Sequence, residues 1–144
     1  MGKMRFRKGY VALGLLMIAI VSLVVAGSIQ GTQQRELMDR SFVTLGRFPD
    51  AVAVYKLHQD RQIIETYVTA HSADEIRTCY DQRFHEMTWQ GPGPEWTEGD
   101  LAMRCYGDPT GKVTAKVGTR AVPLTGSFVY SIEMNRNGCN PGDQ

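Results

Sequence analysis

Ser72 to Met87 reads SADEIRTCYDQRFHEM. Its first four residues form a capping box. The Ser72 hydroxyl can accept from the Glu75 amide while the Glu75 carboxylate reaches back to the amide of Ser72. Asp74 and Glu75 also suit the positive end of a helix dipole. The pattern predicts a helix from Ala73 to about Met87. Its apolar stripe is Ile76, Cys79, Tyr80, Phe84 and Met87. Arg77, Asp81, Gln82 and Glu86 fall on the other side, toward water. One such stripe needs one sheet to cover it.

Working outward, two β-rich runs precede the helix. Ala51 to Leu57 (AVAVYKL) and Ile63 to Ala70 (IIETYVTA) flank a polar turn and read as a hairpin. In the second run Ile64, Thr66 and Val68 share one face, and Glu65, Tyr67 and Thr69 the other. After the helix, Gly91-Pro92-Gly93-Pro94 opens a loop running to about Gly99. Leu101 to Tyr106 is then a strand in which Leu101, Met103 and Cys105 alternate with Ala102, Arg104 and Tyr106. The first set is expected to point at the helix. Val113 to Thr119 follows with Val113, Ala115 and Val117 inward. Ser127 to Asn135 has Phe128, Tyr130, Ile132 and Met134 on one face. The expected fold class is α+β: an N-terminal transmembrane helix, then one helix packed on an antiparallel sheet of about five strands. The outer sheet face, with Lys116, Arg104 and Glu133, would be wet.

The run from Ser72 to Trp89 resembles a pattern in small bacterial envelope domains, often lipoproteins. There a strand pair leads into Ser-x-x-Glu-Val-x-x-Phe-Tyr-x-x-x-Leu-x-x-x-Gly-Trp and then two or three strands. Ser72, Glu75, Ile76, Cys79, Tyr80, Phe84 and Trp89 hold the corresponding places. Cys79 stands where an aromatic is usual, and Thr88 where glycine is usual. The resemblance covers about residues 49–135. It implies a fold and carries no activity, since those domains are mostly of unknown function.

Val11 to Gly27 (VALGLLMIAIVSLVVAG) is uncharged. From Gly9 to Ile29 is 21 residues, near the ~20 that cross a bilayer core as a helix. Lys3, Arg5, Arg7 and Lys8 precede it, so the positive-inside rule keeps the N-terminus in the cytoplasm and exports the rest. The competing expectation is a cleaved signal peptide, with Val25-Ala26-Gly27 or Ala26-Gly27-Ser28 as the cleavage site. The apolar core of 16 residues, Val11 to Ala26, exceeds the ~7–15 of a signal h-region, which favours an uncleaved anchor. The expected organisation is residues 1–29 basic start and anchor, 30–48 juxtamembrane stalk, 49–137 extracytoplasmic domain and 138–144 tail.

Four of the 16 basic residues lie before the anchor, leaving 12 against 15 acidic ones. No basic patch stands out, which argues against a nucleic-acid partner. The expected partners are membrane lipid, through the N-terminal helix, and an envelope protein. No cofactor or metal is expected. The spacing of Cys79, Cys105 and Cys139 fits no zinc pattern. In an oxidising compartment three cysteines leave one unpaired. Cys79–Cys105 is the favoured bridge, pinning helix to sheet, with Cys139 left as an unpaired or interchain thiol. Cys105–Cys139 is the next choice.

Little else points to chemistry. His58 sits in a turn, His71 before the helix cap and His85 on the helix four residues after Asp81. A metal would need two or three of these groups to converge. Cys79 on an apolar stripe is an inert thiol rather than a nucleophile. No serine has the G-x-S-x-G context. The loop Gly91 to Gly99 is the most suggestive feature. Trp96, flanked by Glu95 and Glu98, reads as a partner-contact anchor or as a lid over the end of the sheet, while Trp89 reads as core. The expected protein is a non-enzymatic, single-span accessory subunit of an envelope complex. The alternatives are a small-ligand-binding or sensing domain with its ligand between helix and sheet, and a secreted protein freed by signal cleavage.

Overall fold

A computed structural model describes residues 5–136 and 138–139. Lys3 of the basic start and most of the expected tail lie outside the described residues. The chain divides into two compact units, residues 1–33 and 34–144. In chain order the elements are α1 (Arg5–Leu45), β1 (Val52–Gln59), β2 (Gln62–Thr69), α2 (Ala73–Glu86), β3 (Trp96–Glu98), β4 (Leu101–Gly107), β5 (Thr114–Ala121) and β6 (Phe128–Asn135). The fold is α+β, with a six-stranded, wholly antiparallel sheet in the order β1-β2-β6-β5-β4-β3.

The first unit is the apolar part of α1. That part is long and apolar enough to cross a membrane, and its large side chains, from Leu13 to Ile29, are exposed along their whole length. A helix apolar on every side is a candidate membrane span or signal anchor.

In the second unit, α1 does not end in a free stalk. Leu37, Met38, Ser41, Phe42 and Leu45 form a stripe at helical spacing, and Met38 and Leu45 are fully buried in the core. The expected stalk, 30–48, is therefore divided: from Gln34 onward it belongs to the folded domain. Gly46 ends the helix at φ 62°, and its amide donates to the Phe42 carbonyl at 3.1 Å. A left-handed residue with that bond is the αL cap, which glycine adopts without steric cost.

The box at Ser72 forms as the sequence implies. The Glu75 amide donates to Ser72 Oγ at 3.3 Å, and the Ser72 amide to Glu75 Oε2 at 2.8 Å. Ile76, Tyr80 and Phe84 are the buried stripe, with Cys79 and Met87 partly buried beside them. At the other end Thr88 donates its amide to the His85 carbonyl, and Trp89 to the Phe84 carbonyl, both at 2.9 Å. This is a Schellman motif, closed by the packing of Trp89 on Phe84, whose rings are 5.2 Å apart. It needs a left-handed residue at position 88, and here that residue is a β-branched threonine at φ 61°.

Cross-strand partners share a face, so the register separates two layers. The inner face carries Ile63, Glu65, Tyr67 and Thr69 of β2, Tyr130, Ile132 and Met134 of β6, and Ala115, Val117 and Thr119 of β5. On β4 the inward residues are Arg104 and Tyr106, opposite Val117 and Ala115. Tyr106 stacks on Phe84 of α2 with ring centroids 4.0 Å apart.

The expected face of β4 is thus reversed. Cys105 pairs with Lys116, which pairs with Glu133 on the outer face. Arg104, expected in the wet outer layer, lies inward instead. Alternation defines two faces of a strand without saying which is buried. Tyr106 takes the inner side because its ring has Phe84 to cover and its hydroxyl has Asp81 to reach. The Cys79–Cys105 bridge therefore does not form, because the two side chains lie on opposite sides of the sheet layer. The bridge is Cys105–Cys139, with Cα atoms 5.9 Å apart, and Cys79 is the free thiol.

The last part of the expected loop, Trp96 to Glu98, is a sixth strand. It pairs with Leu101–Met103, which sets Trp96 opposite Met103 on the outer face. Gly118 lies beneath Met103, where a Cβ would run into the methionine sulfur.

Candidate interaction site

Two polar clusters and one pocket are candidates. The first cluster is at the inner face of β1 and β2. Glu65 is 4% exposed and is held on every side. His58 Nε2 is 2.7 Å from Oε1, Lys56 Nζ 3.3 Å from Oε2, and the Tyr67 hydroxyl donates to Oε2. Burial pushes the Glu65 carboxyl up, but the bonds from Tyr67, His58 and Lys56 together outweigh it and hold the group below its ordinary range. The same buried pairing pushes the Tyr67 phenol well up. Phe42 of α1 lies edge-on to His58, with centroids 5.8 Å apart. This carboxylate is committed to three partners within the domain.

The second cluster joins α2 to the sheet. Arg104 Nη1 donates to Asp81 Oδ2 at 2.8 Å and its Nε to Glu95 Oε2 at 3.1 Å. Tyr106 donates to the other oxygen of Asp81, and Arg77 lies 3.8 Å from Glu95. Burial alone would lower the Arg104 guanidinium pKa, but the facing carboxylates of Glu95 and Asp81 raise it. Burial, then the Asp81 carboxylate, raises the Tyr106 phenol. Asp81, four residues before His85, is committed to Arg104 and Tyr106. Among the described residues no three His, Cys, Asp or Glu converge as metal ligands.

The pocket lies on the outer side of β4, with a volume of about 460 Å³. It is lined by Gln90, Gly91, Gly93, Pro94, Glu95, Trp96, Cys105 and Cys139, and its walls are mostly apolar. The sequence builds it in three steps. Gln90 and Gly107 exchange backbone bonds at 2.8 and 2.9 Å, and Gly93 donates to the Cys105 carbonyl at 3.0 Å. That draws the loop so close to β4 that a Cβ on Gly91 would come within 2.8 Å of the Cys105 oxygen. Glu95 is then fastened to Arg104, and β3 carries Trp96 to the rim. There Trp96 is partly buried. Glu98 stands 3.9 Å from Lys116. The bridge forms another wall; sequence reasoning held Cys105–Cys139 as its second choice because it placed Cys105 inward, and did not set it beside Trp96.

The space expected for a ligand between helix and sheet is filled. Tyr80 and Phe84 are buried against Tyr130 and Tyr106. An open apolar pocket with a neutralised rim can take an apolar or aromatic side chain from outside. Comparison with protein-family models, with curated proteins and with solved structures gives no match for this chain.

Proposed function

We propose that this protein is a non-enzymatic, single-span, membrane-anchored accessory subunit of a bacterial envelope complex. Its N-terminus lies in the cytoplasm and its α+β domain outside, and it binds a partner protein through the Trp96 pocket. The observation that carries the reading is that pocket: an apolar cleft rimmed by a partly exposed tryptophan, a residue type enriched among the anchors of protein contacts. The apolar α1 supports residence at a membrane. The basic residues before it support the orientation, and its 16-residue core favours an anchor retained over one cleaved. The filled helix–sheet interface disfavours the small-ligand reading.

A photocrosslinker placed at Gln90, an exposed residue of the pocket lining, tests the proposal in native membranes. The expected result is one dominant protein adduct, lost on Trp96→Ala while the variant keeps its melting temperature. The absence of any protein adduct, or an adduct unchanged by Trp96→Ala, overturns it. Alkaline extraction tests the anchor: release of the chain with a mature N-terminus near Ser28 would convert the reading to a free exported protein.

A further inference from the structure

We propose that β1 is a docking edge for a second copy of this chain, the two β1 strands pairing antiparallel so that the two sheets become one. The contact uses the edge of the sheet away from the Trp96 pocket and stands whether or not a partner fills that pocket.

β1 is an end strand: it pairs with β2 on one side, and among the described residues no strand pairs with its other side. Such an edge presents a row of backbone donors and acceptors that a further strand can take up. Edges are usually blunted by short length, proline or exposed charge. β3, at the far end of the sheet, is three residues long. β1 is eight residues long and has no proline. Its basic groups are drawn to the inner side, where Lys56 Nζ lies 3.3 Å and His58 Nε2 2.7 Å from the Glu65 carboxylate. Its apolar side chains are left in the open: Val52 is 64%, Val54 59% and Tyr55 51% exposed.

Side-chain matching identifies the strand that fits this edge. A bulge between Ala53 and Tyr55 shifts the alternation by one residue. Val52, Tyr55 and Leu57 therefore lie on the outer face, opposite Val68, Thr66 and Ile64. Ala53, Lys56 and His58 lie on the inner face, opposite Tyr67, Glu65 and Ile63. Paired strands keep like faces together. For β1 against itself, two antiparallel registers do so over several residues. One is centred on Leu57 and sets Lys56 against His58 of the other copy, basic against basic. The other is centred between Val54 and Tyr55. It sets Val52 against Leu57, Val54 against Tyr55 and Ala53 against Lys56. Every exposed apolar side chain of β1 then meets an apolar one, and no charge faces a like charge. A bulge ordinarily discourages pairing at an edge, and here it is met by the same bulge of the other copy. The edge is thus complementary to itself, as a two-fold contact requires. The pairing consumes β1 in both copies and leaves the short β3 at each end, so assembly closes at the dimer.

The test uses the full chain in detergent micelles, followed by sedimentation equilibrium. The expected result is a monomer–dimer equilibrium without larger species. Val54→Lys enters the contact twice but is exposed in the monomer. It should weaken dimerisation by about tenfold while leaving the melting temperature of the dilute monomer unchanged. Oxidative crosslinking in a Cys79→Ser background reads the register. The double variant V52C/L57C should form an interchain disulfide, and neither single variant should. A wild-type chain that stays monomeric at every concentration overturns the proposal and leaves the edge to a strand of another protein. A dimer that Val54→Lys leaves intact also overturns it and places the contact on another surface, such as the apolar part of α1. Crosslinking by V52C alone, or none by the double variant, overturns the pairing of Val52 with Leu57.

Discussion

The joint between α1 and the sheet turns on one hydroxyl. The Phe48 amide, just past the end of α1, donates to Tyr130 Oη at 3.0 Å in a buried site. Tyr80 Oη lies 3.3 Å from the same oxygen and 3.3 Å from the Gly46 carbonyl. Tyr130→Phe keeps the ring stacked on Tyr67 but leaves the Phe48 N–H with no partner. Stranding a buried donor costs about 1–3 kcal/mol. At ~2.1 cal/mol/K per residue, unfolding the 34–144 unit gives roughly 4 °C per kcal/mol, so the melting temperature should fall by about 4–13 °C. Tyr80→Phe is the internal control. The Gly46 carbonyl it abandons still accepts from Arg83 at 3.2 Å and the Phe48 amide keeps its partner, so the backbone donor is not orphaned and the cost should be the smaller of the two. The assay is thermal melting followed by near-ultraviolet circular dichroism, which reads the tyrosine core rather than the apolar helix. If Tyr80→Phe lowers the midpoint as much as Tyr130→Phe, or if Tyr130→Phe moves it by under about 2 °C, the orphaned-donor reasoning is wrong.

The remaining predictions are shorter. Thr88→Gly should raise stability by up to about 1 kcal/mol in chemical denaturation, because it removes a β-branched residue from a left-handed cap. A destabilised variant would mean that Thr88 contributes more than its backbone strain costs. Gly118→Ala should destabilise by about 1–3 kcal/mol, because the new methyl group displaces Met103 over the outer face; an unchanged melting temperature would refute the close approach. Acid should unfold the domain in a defined window. Glu65 and Asp108 both have folded pKa values below their unfolded ones. Burial raises Asp108, but its Thr110 and backbone bonds more than offset this. Their contributions are therefore complete above the ordinary carboxylate range, about pH 4–4.5, and vanish as pH falls through the lowered folded values. Glu65→Gln should flatten that acid limb, and a limb identical to wild type would remove Glu65 as a source of it.

How much of this was legible depends on whether a residue's signal was local. The Ser72 box and the stripe at Ile76, Tyr80 and Phe84 are complete within a few turns of chain, and they form as read. The inward sets on the two last strands also hold, because Val113, Ala115, Val117 and Tyr130, Ile132, Met134 alternate with polar neighbours. On β4 the more apolar set, Leu101, Met103 and Cys105, takes the outer face, so apolarity read along the strand pointed the wrong way. The decision came from across the fold, from Phe84 and Asp81, and the disulfide followed from it. Trp96 to Glu98 escaped notice as a strand because three residues carry no period. The stripe Leu37, Met38, Ser41, Phe42 and Leu45 was hidden by the charged residues interleaved with it, Arg35, Glu36, Asp39 and Arg40.

That last stripe changes what the anchor question is about. The residues α1 gives to the core begin after Gln33, several residues beyond the proposed cleavage sites at Gly27 and Ser28. A chain cut there would keep Met38, Ser41, Leu45 and the Gly46 cap. It would also keep Arg83, whose Nη1 donates to the Leu45 carbonyl at 2.6 Å and to that of Arg47 at 3.1 Å, satisfying carbonyls that the helix end leaves unpaired. Cleavage at either place would thus leave these core residues in the chain. Chains beginning at Ser28 and at Met1 should therefore melt within about 2 °C of each other, since among the described side chains none before Ser28 is buried. Truncation to Pro49 should instead destabilise by several kcal/mol, because it deletes Met38, Leu45 and Phe48 from the core at about 2–5 kcal/mol for each large side chain. If the chain beginning at Ser28 melted like the one beginning at Pro49, the first unit would be part of the domain's stability. Its apolar surface would then need a protein partner rather than a lipid one.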